Sequence, residues 1–290
     1  MTETLQKRAM ARRAFLLCAC VCAWVAPMHL ALADYAKIVE SGALKVAVYK
    51  SFAPFSEPER GDAGGLDVAL AGALARELGV KLSLMPFDAG ETMSDDLRNM
   101  VWRGHYLGYG PADVMLHVPV DSRFMERNDR VLIFAPYYRE RLVLVHDRSE
   151  LPSVRSIEDL VGHKVAAEQG TAAASALLGV AGGALRQQLR ITRSGREAIR
   201  ALIAGDVAAA MVTRAQAEAA LAEAGRSADD FELTTLALPG LPNEGWAIGM
   251  AIRADDPALA QALADALERI RRSGALRDIY ARHGVTLVNP

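Results

Sequence analysis

The sequence predicts an α/β fold of two blocks, each a mainly parallel sheet with helices on both faces. Three observations carry this. Short apolar or alternating runs at 44–49, 80–85, 114–116, 131–134, 142–145, 164–168, 208–212 and 246–252 read as strands. Stretches with apolar residues three and four apart lie between them and read as helices. Strands that alternate with helices require crossover connections, which makes the sheets parallel and covers both faces. The same alternation also occurs on both sides of the 139–145 run, which divides the chain into two halves.

The elements follow in order. Leu44 to Tyr49 is a strand, and a loop to Gly65 carries Phe52, Pro54 and Phe55. Asp67 reads as a helix N-cap, with Leu70, Leu74 and Leu78 forming the buried stripe before Gly79 stops the helix. An acidic helix lies around Asp95 and Asp96, and a glycine-rich turn spans 104–110. In the second half Ser156 to Asp159 forms a capping box, and Gln169-Gly170-Thr171 opens an alanine-rich helix. Ser194 and Thr213 cap the next two helices, and 231–238 reads as a strand. Asp256-Pro257 starts a long helix with proline at its first turn, where the missing N–H costs nothing.

Composition limits the function. The 290 residues are 51% hydrophobic and 23% charged, with a net charge of −2, so no basic footprint points to nucleic acid. Lys7, Arg8, Arg12 and Arg13 precede a largely apolar run from Ala14 to Leu32, and Ala31-Leu32-Ala33 fits a signal-peptidase site. Residues 1–33 are expected to be a signal peptide that sends the chain to the periplasm. Arg12-Arg13-Ala14-Phe15-Leu16 also has a twin-arginine look. Cys18, Cys20 and Cys22 all lie in this segment, so the mature chain offers no disulfide, thiol nucleophile or thiolate metal site. His105, His117 and His146 lack metal-binding spacing, and no nucleophile elbow or phosphate loop appears. Asp95, Asp96 and Asp121 could take a hard cation, but a solvated helix face explains them as well. Neither an enzyme, a cofactor nor a metal is expected.

An ordered set of segments carries a resemblance. It comprises Phe52-x-Pro-Phe55, Gly64-Gly65-Leu66-Asp67, Asp113-Val114, Ala135-Pro136-Tyr137-Tyr138, Ile157 to Val165, Gln169-Gly170-Thr171 and Ser273-Gly274. Together they resemble the type II periplasmic solute-binding proteins, and the polar-amino-acid branch in particular. That resemblance implies two lobes, 34–139 with 243–290 and 140–242, with a ligand cleft between them. It implies a small-molecule ligand, an ABC permease as partner, and contact with the membrane only through that partner.

The resemblance also implies a ligand site. Tyr49, Phe52 and Phe55 would supply apolar walls, with His117 and Asp121 near the cleft mouth. Tyr137 and Trp246 would flank the hinges, and Gln169, Gly170 and Thr171 would offer donors at a helix N-terminus, where an anion sits well. Counting back from Pro136-Tyr137 puts Arg127 on the arginine that holds a ligand carboxylate in that branch, with Arg123 and Arg139 competing. Two departures stand out. The branch's threonine position is Phe124, and its ammonium-binding aspartate is Thr213. A small anionic ligand is therefore expected. The 95–121 region also resembles J-type accessory proteins of quinoprotein methanol dehydrogenases, so a role in maturing such a periplasmic dehydrogenase is the alternative.

Overall fold

The computed structural model describes residues 33–179, 182–226, 230–238 and 240–290. The expected signal peptide, with its three cysteines and paired arginines, lies outside them except for its last residue. Among these residues ten strands form two five-stranded sheets, ordered β2-β1-β3-β10-β4 and β7-β6-β8-β5-β9. The strands of the first sheet are β1 (Ala43–Tyr49), β2 (Lys81–Phe87), β3 (Val114–Pro119), β4 (Val131–Glu140) and β10 (Trp246–Arg253). Those of the second are β5 (Leu142–His146), β6 (Val165–Glu168), β7 (Leu189–Thr192), β8 (Ala209–Thr213) and β9 (Glu232–Thr234).

The two sheets share one topology. In each, three neighbouring strands pair parallel, and a fourth inserts antiparallel between them and the edge strand. Four strands of five therefore run the same way. The reversed strand is β10 in one sheet and β5 in the other, and each is the first strand the chain forms after crossing from the opposite sheet. One residue, Arg141, separates β4 from β5, and the return crossing lies between Thr234 and Trp246. This is the two-lobed α/β architecture expected from the alternation of elements.

Nine α-helices cover the sheets: α1 (Ala33–Ser41), α2 (Leu66–Glu77), α3 (Met93–Leu97), α4 (Ser122–Glu126), α5 (Ala172–Gly179), α6 (Gly195–Ile203), α7 (Arg214–Glu223), α8 (Pro257–Arg272) and α9 (Ala275–Arg282), counted among the described residues. The caps read from sequence hold at α6, α7 and α8. Ser194, Thr213 and Asp256 accept the amides of Glu197, Gln216 and Leu259. None of these helices is long and apolar enough to cross a membrane.

Three expectations need correction. Asp67 is not the cap of α2. The helix begins at Leu66 after Gly65, and its first amides are taken by the carbonyls of Pro54 and Phe55. With those donors satisfied by backbone, the Asp67 carboxylate is free to turn inward. Gly65 itself has φ 110°, and a Cβ there would stand 2.5 Å from the Phe55 carbonyl oxygen, so the close approach demands glycine. The strand expected at 231–238 shrinks to Glu232–Thr234, because only three of its residues pair with β5. The strand expected at 131–134 runs on to Glu140, because β10 pairs with it as far as Trp246 opposite Glu140.

Candidate functional site

Parallel sheets place ligands beyond the carboxyl ends of their strands, where loops and helix N-termini converge. The two sheets turn those ends toward each other. The loop after β1 carries Glu57, and α6, which follows β7, carries Arg196. Their side chains form a two-pronged ion pair, both prongs at 2.8 Å. A cavity of about 620 Å³ lies along this meeting line, lined by Pro54, Glu57 and Gly65 from the first lobe and Arg196, Gln216 and Glu223 from the second.

On the first lobe, five residues expected from sequence come together. Tyr49 ends β1, and its ring packs 5.7 Å from Phe52. Phe52 meets the imidazole of His117 edge-on at 4.9 Å, and Phe55 lies 4.2 Å from the same ring. His117 has φ 62° within β3, a conformation that costs a non-glycine residue energy and is held only where its surroundings fix it. The surroundings are Asp67 and Tyr137. His117 Nδ1 lies 3.0 Å from Asp67 Oδ2, the Tyr137 hydroxyl donates to Asp67 Oδ1 at 2.8 Å, and the His117 amide donates to that hydroxyl at 2.9 Å. With Nδ1 on Asp67, Nε2 is the imidazole nitrogen left for other partners. Tyr137 and Phe55 are each about 1% exposed and form the layer behind the wall, while Phe52 is half-buried at its face. Burial first, and then the Asp67 charge, push the Tyr137 hydroxyl up, so it stays a proton donor.

A second carboxylate supports Tyr49. Asp96 accepts the Tyr49 hydroxyl at 2.7 Å and the Gly90 amide at 2.7 Å. Burial raises the Asp96 carboxyl despite these bonds. Asp95 pairs with Arg98, and Asp121 caps α4 by accepting the Phe124 amide. The three aspartates thus have separate jobs, and no group of three His, Cys, Asp or Glu side chains among the described residues could hold a metal. Of the remaining histidines, His146 is buried against Leu151 and Thr234, and His105 stacks on Tyr109.

On the second lobe, three helix N-termini surround Glu168, the last residue of β6. Its Oε2 accepts the Gly195 amide at 2.9 Å, at the start of α6, and the Gln216 Nε2–H at 2.9 Å, from the first turn of α7. Burial raises the Glu168 carboxyl, which these two donors oppose. Thr171 caps α5. Its hydroxyl donates to the Glu168 carbonyl at 2.7 Å and accepts the Ala174 amide at 3.2 Å. Gln169 and Gly170 are exposed beside it.

Two other expected residues sit at element ends. Arg127 is exposed at the C-terminal end of α4, and Trp246 begins β10, opposite Glu140, the last residue of β4. Glu140 is buried, and its carboxyl is pushed up to about 7 by burial. Sequence reasoning missed Asp67, Asp96 and Glu168 as members of the site, and the Glu57–Arg196 pair entirely. Asp67 carried a usable signal: it stands three and seven residues before Leu70 and Leu74, on the buried face of α2. Glu57 and Arg196, 139 positions apart, left none.

Several solved structures share the fold. An ancestral cationic amino acid solute-binding protein matches with TM-score 0.65 and 22% identity, over 87% of this chain and all of the other. A polar amino acid ABC uptake transporter substrate-binding protein from Streptococcus thermophilus matches with TM-score 0.64 and 18% identity, over 89% and 91%. An amino acid ABC transporter substrate-binding protein from Streptococcus pneumoniae, bound to L-arginine, matches with TM-score 0.59 and 22% identity, over 87% and 98%. No curated protein matches the sequence. The NMT1/THI5-like family model matches residues 125–270, which run from α4 through both crossings into α8, and the chain belongs to that family.

Proposed function

We propose that this protein is the solute-binding component of an ABC-type uptake system, exported from the cytoplasm, that closes its two lobes on one small polar molecule. The lobes would be 34–139 with 243–290 and 140–242. The observation that carries the reading is the opposition of strand ends: Tyr49, Phe52 and His117 on one lobe and Glu168 and the α5–α7 N-termini on the other. A molecule held there would be buried from both sides. Solute-binding proteins with this fold, described as binding cationic or polar amino acids, lend support.

The charges favour a solute with a positive group. An anionic ligand was expected from the helix terminus at Gln169-Gly170-Thr171. Beside that terminus the Glu168 carboxylate takes donors from the starts of α6 and α7, and no cationic side chain pairs with it among the described residues. Asp67 and Asp96 add further carboxylates on the opposite lobe, whereas Arg196 is taken up by Glu57 and Glu223. An ammonium or guanidinium would supply the counter-charge that a mostly buried carboxylate otherwise lacks. The test is thermal stability with L-arginine, L-glutamine and L-glutamate. Stabilisation that grows with concentration, largest for arginine, supports the reading. No shift with any of the three, nor with other small amines or carboxylates, would count against solute binding altogether.

One observation favours the accessory role as a second reading. The 104–110 turn projects Tyr106 at 88% and Leu107 at 68% exposure. His105 braces it, stacking on Tyr106 and Tyr109 with centroids 4.3 Å from each. A rigid exposed aromatic tip suits a protein partner. Loss of binding to a periplasmic quinoprotein dehydrogenase in Tyr106→Ser would support that reading, and no binding by the wild type would remove it.

A further inference from the structure

Glu57 and Arg196 meet across the two lobes, and on the closure proposed above the form of their contact gives it a second role. Arg196 Nη1 and Nη2 each donate to one oxygen of Glu57 at 2.8 Å, a parallel fork that fixes relative orientation as well as distance. The side chains are 15% and 24% exposed, so water screens the pair less than an ordinary surface bridge. Each partner is also braced within its own lobe. Arg60 holds Glu57 at 2.9 Å, and Glu223, on α7, holds Arg196 at 3.1 Å. Hydrogen bonding from Arg196, the leading cause, lowers the Glu57 carboxyl below its ordinary range. Gln216, Arg282 and His283 line the same cavity.

Elsewhere the lobes meet on the side of the C-terminal segment. Glu218 of α7 accepts the Thr286 amide at 2.6 Å, and Ala215 packs into the first lobe's core. Gly284 approaches Ala222 so closely that a Cβ there would stand 2.5 Å from the Ala222 Cβ. Glu57 and Arg196 line the same 620 Å³ cavity as Ala222 and Gly284, and theirs is a charged contact between the lobes. An ion pair in that position adds to the closed state and to nothing in the open one.

We propose that the Glu57–Arg196 pair is a latch that holds the lobes closed in the absence of solute and so sets the resting balance between open and closed forms. Breaking it would shift that balance toward the open form by about 5- to 10-fold, in the range of ordinary coupling between two states. Solute affinity would fall by a similar factor, because the competent state becomes rarer. The latch does not depend on the charge of the solute, and its test needs no solute.

The experiment is electron–electron resonance between labels carried by unnatural residues at Glu91 and Gln187, one on each lobe, in the ligand-free full chain. Glu57→Gln and Arg196→Ala should each lengthen and broaden the distance distribution. The double variant should match either single variant, because one interaction is lost once. Arg196→Lys, which keeps the charge but loses the fork, should fall between. Asp206→Asn breaks a second-lobe bridge to Arg190 that touches neither Glu57 nor Arg196, and should leave the distance at the wild-type value. Circular dichroism confirms that each variant is folded. For any variant that is not, the conservative Arg196→Lys gives the readout instead, with the distance lengthening as the fork is lost. Unchanged distances in the folded Glu57 and Arg196 variants would overturn the proposal.

Discussion

Asp67 and His117 are 50 residues apart in the sequence, and their side chains meet at 3.0 Å, almost fully buried. One carboxylate thereby anchors the start of α2, the strained turn in β3 and the Tyr137 hydroxyl of β4. Asp67→Ala would leave the imidazole and the phenol without their acceptor. The expected loss is about 3 kcal/mol of folding free energy, measured by urea unfolding. Tyr137→Phe removes one hydrogen bond and should cost about 1 kcal/mol. A neutral result for Asp67→Ala would show that the network does not organise this face.

Glu140 makes folding stability pH-dependent. Burial raises its carboxyl from the ordinary 4.5 to about 7, with the Arg141 amide opposing. Between those values the folded chain keeps a proton that the unfolded chain has released, so this contribution to stability falls as pH rises from 4.5 to 7. Glu140→Gln should match wild type near pH 4.5 and exceed it above pH 7, by at most about 3 kcal/mol. Chemical unfolding at both pH values checks this, and parallel curves for the two proteins would refute it.

The aromatic wall should divide by burial. Phe55 is a core residue, and Phe55→Ala should cost about 3–5 kcal/mol of stability. Phe52 is only half-buried, so Phe52→Ala should cost less stability and more solute affinity. Paired unfolding and titration measurements separate the two effects.

The α/β class, the point where the chain changes sheets and most caps were legible in the sequence, because they follow from local periodicity and from Ser, Thr and Asp before apolar runs. Tyr49, Phe52, Phe55, His117 and Tyr137, named from the resemblance, gather on one lobe. What stayed hidden depends on pairs far apart in the chain. Asp67 looked like a cap because its position permits one, and only the carbonyls of Pro54 and Phe55 show why the helix needs none. Thr213 read as a missing carboxylate; Glu168 lies close to it through Gln216, which bonds both Glu168 and the Thr213 amide. Arg127, placed by counting back from Pro136-Tyr137, lies exposed at the end of α4.

Charge selection should reside in Glu168. Glu168→Gln keeps the Gly195 amide bond and the shape but removes the charge. Affinity for L-arginine should drop about 10-fold or more, while L-glutamine, which carries only its α-ammonium, should lose less. Isothermal titration decides it, and an equal loss for both solutes would assign Glu168 a purely structural part.

The central claim is that one small solute is held between the lobes, touching both. Hydrogen–deuterium exchange of the full chain with and without L-arginine tests it most directly. The account predicts new protection on both faces together, at 49–56 and 117–121 on one lobe and at 168–171 and 194–196 on the other. Binding that protects one lobe alone would contradict it.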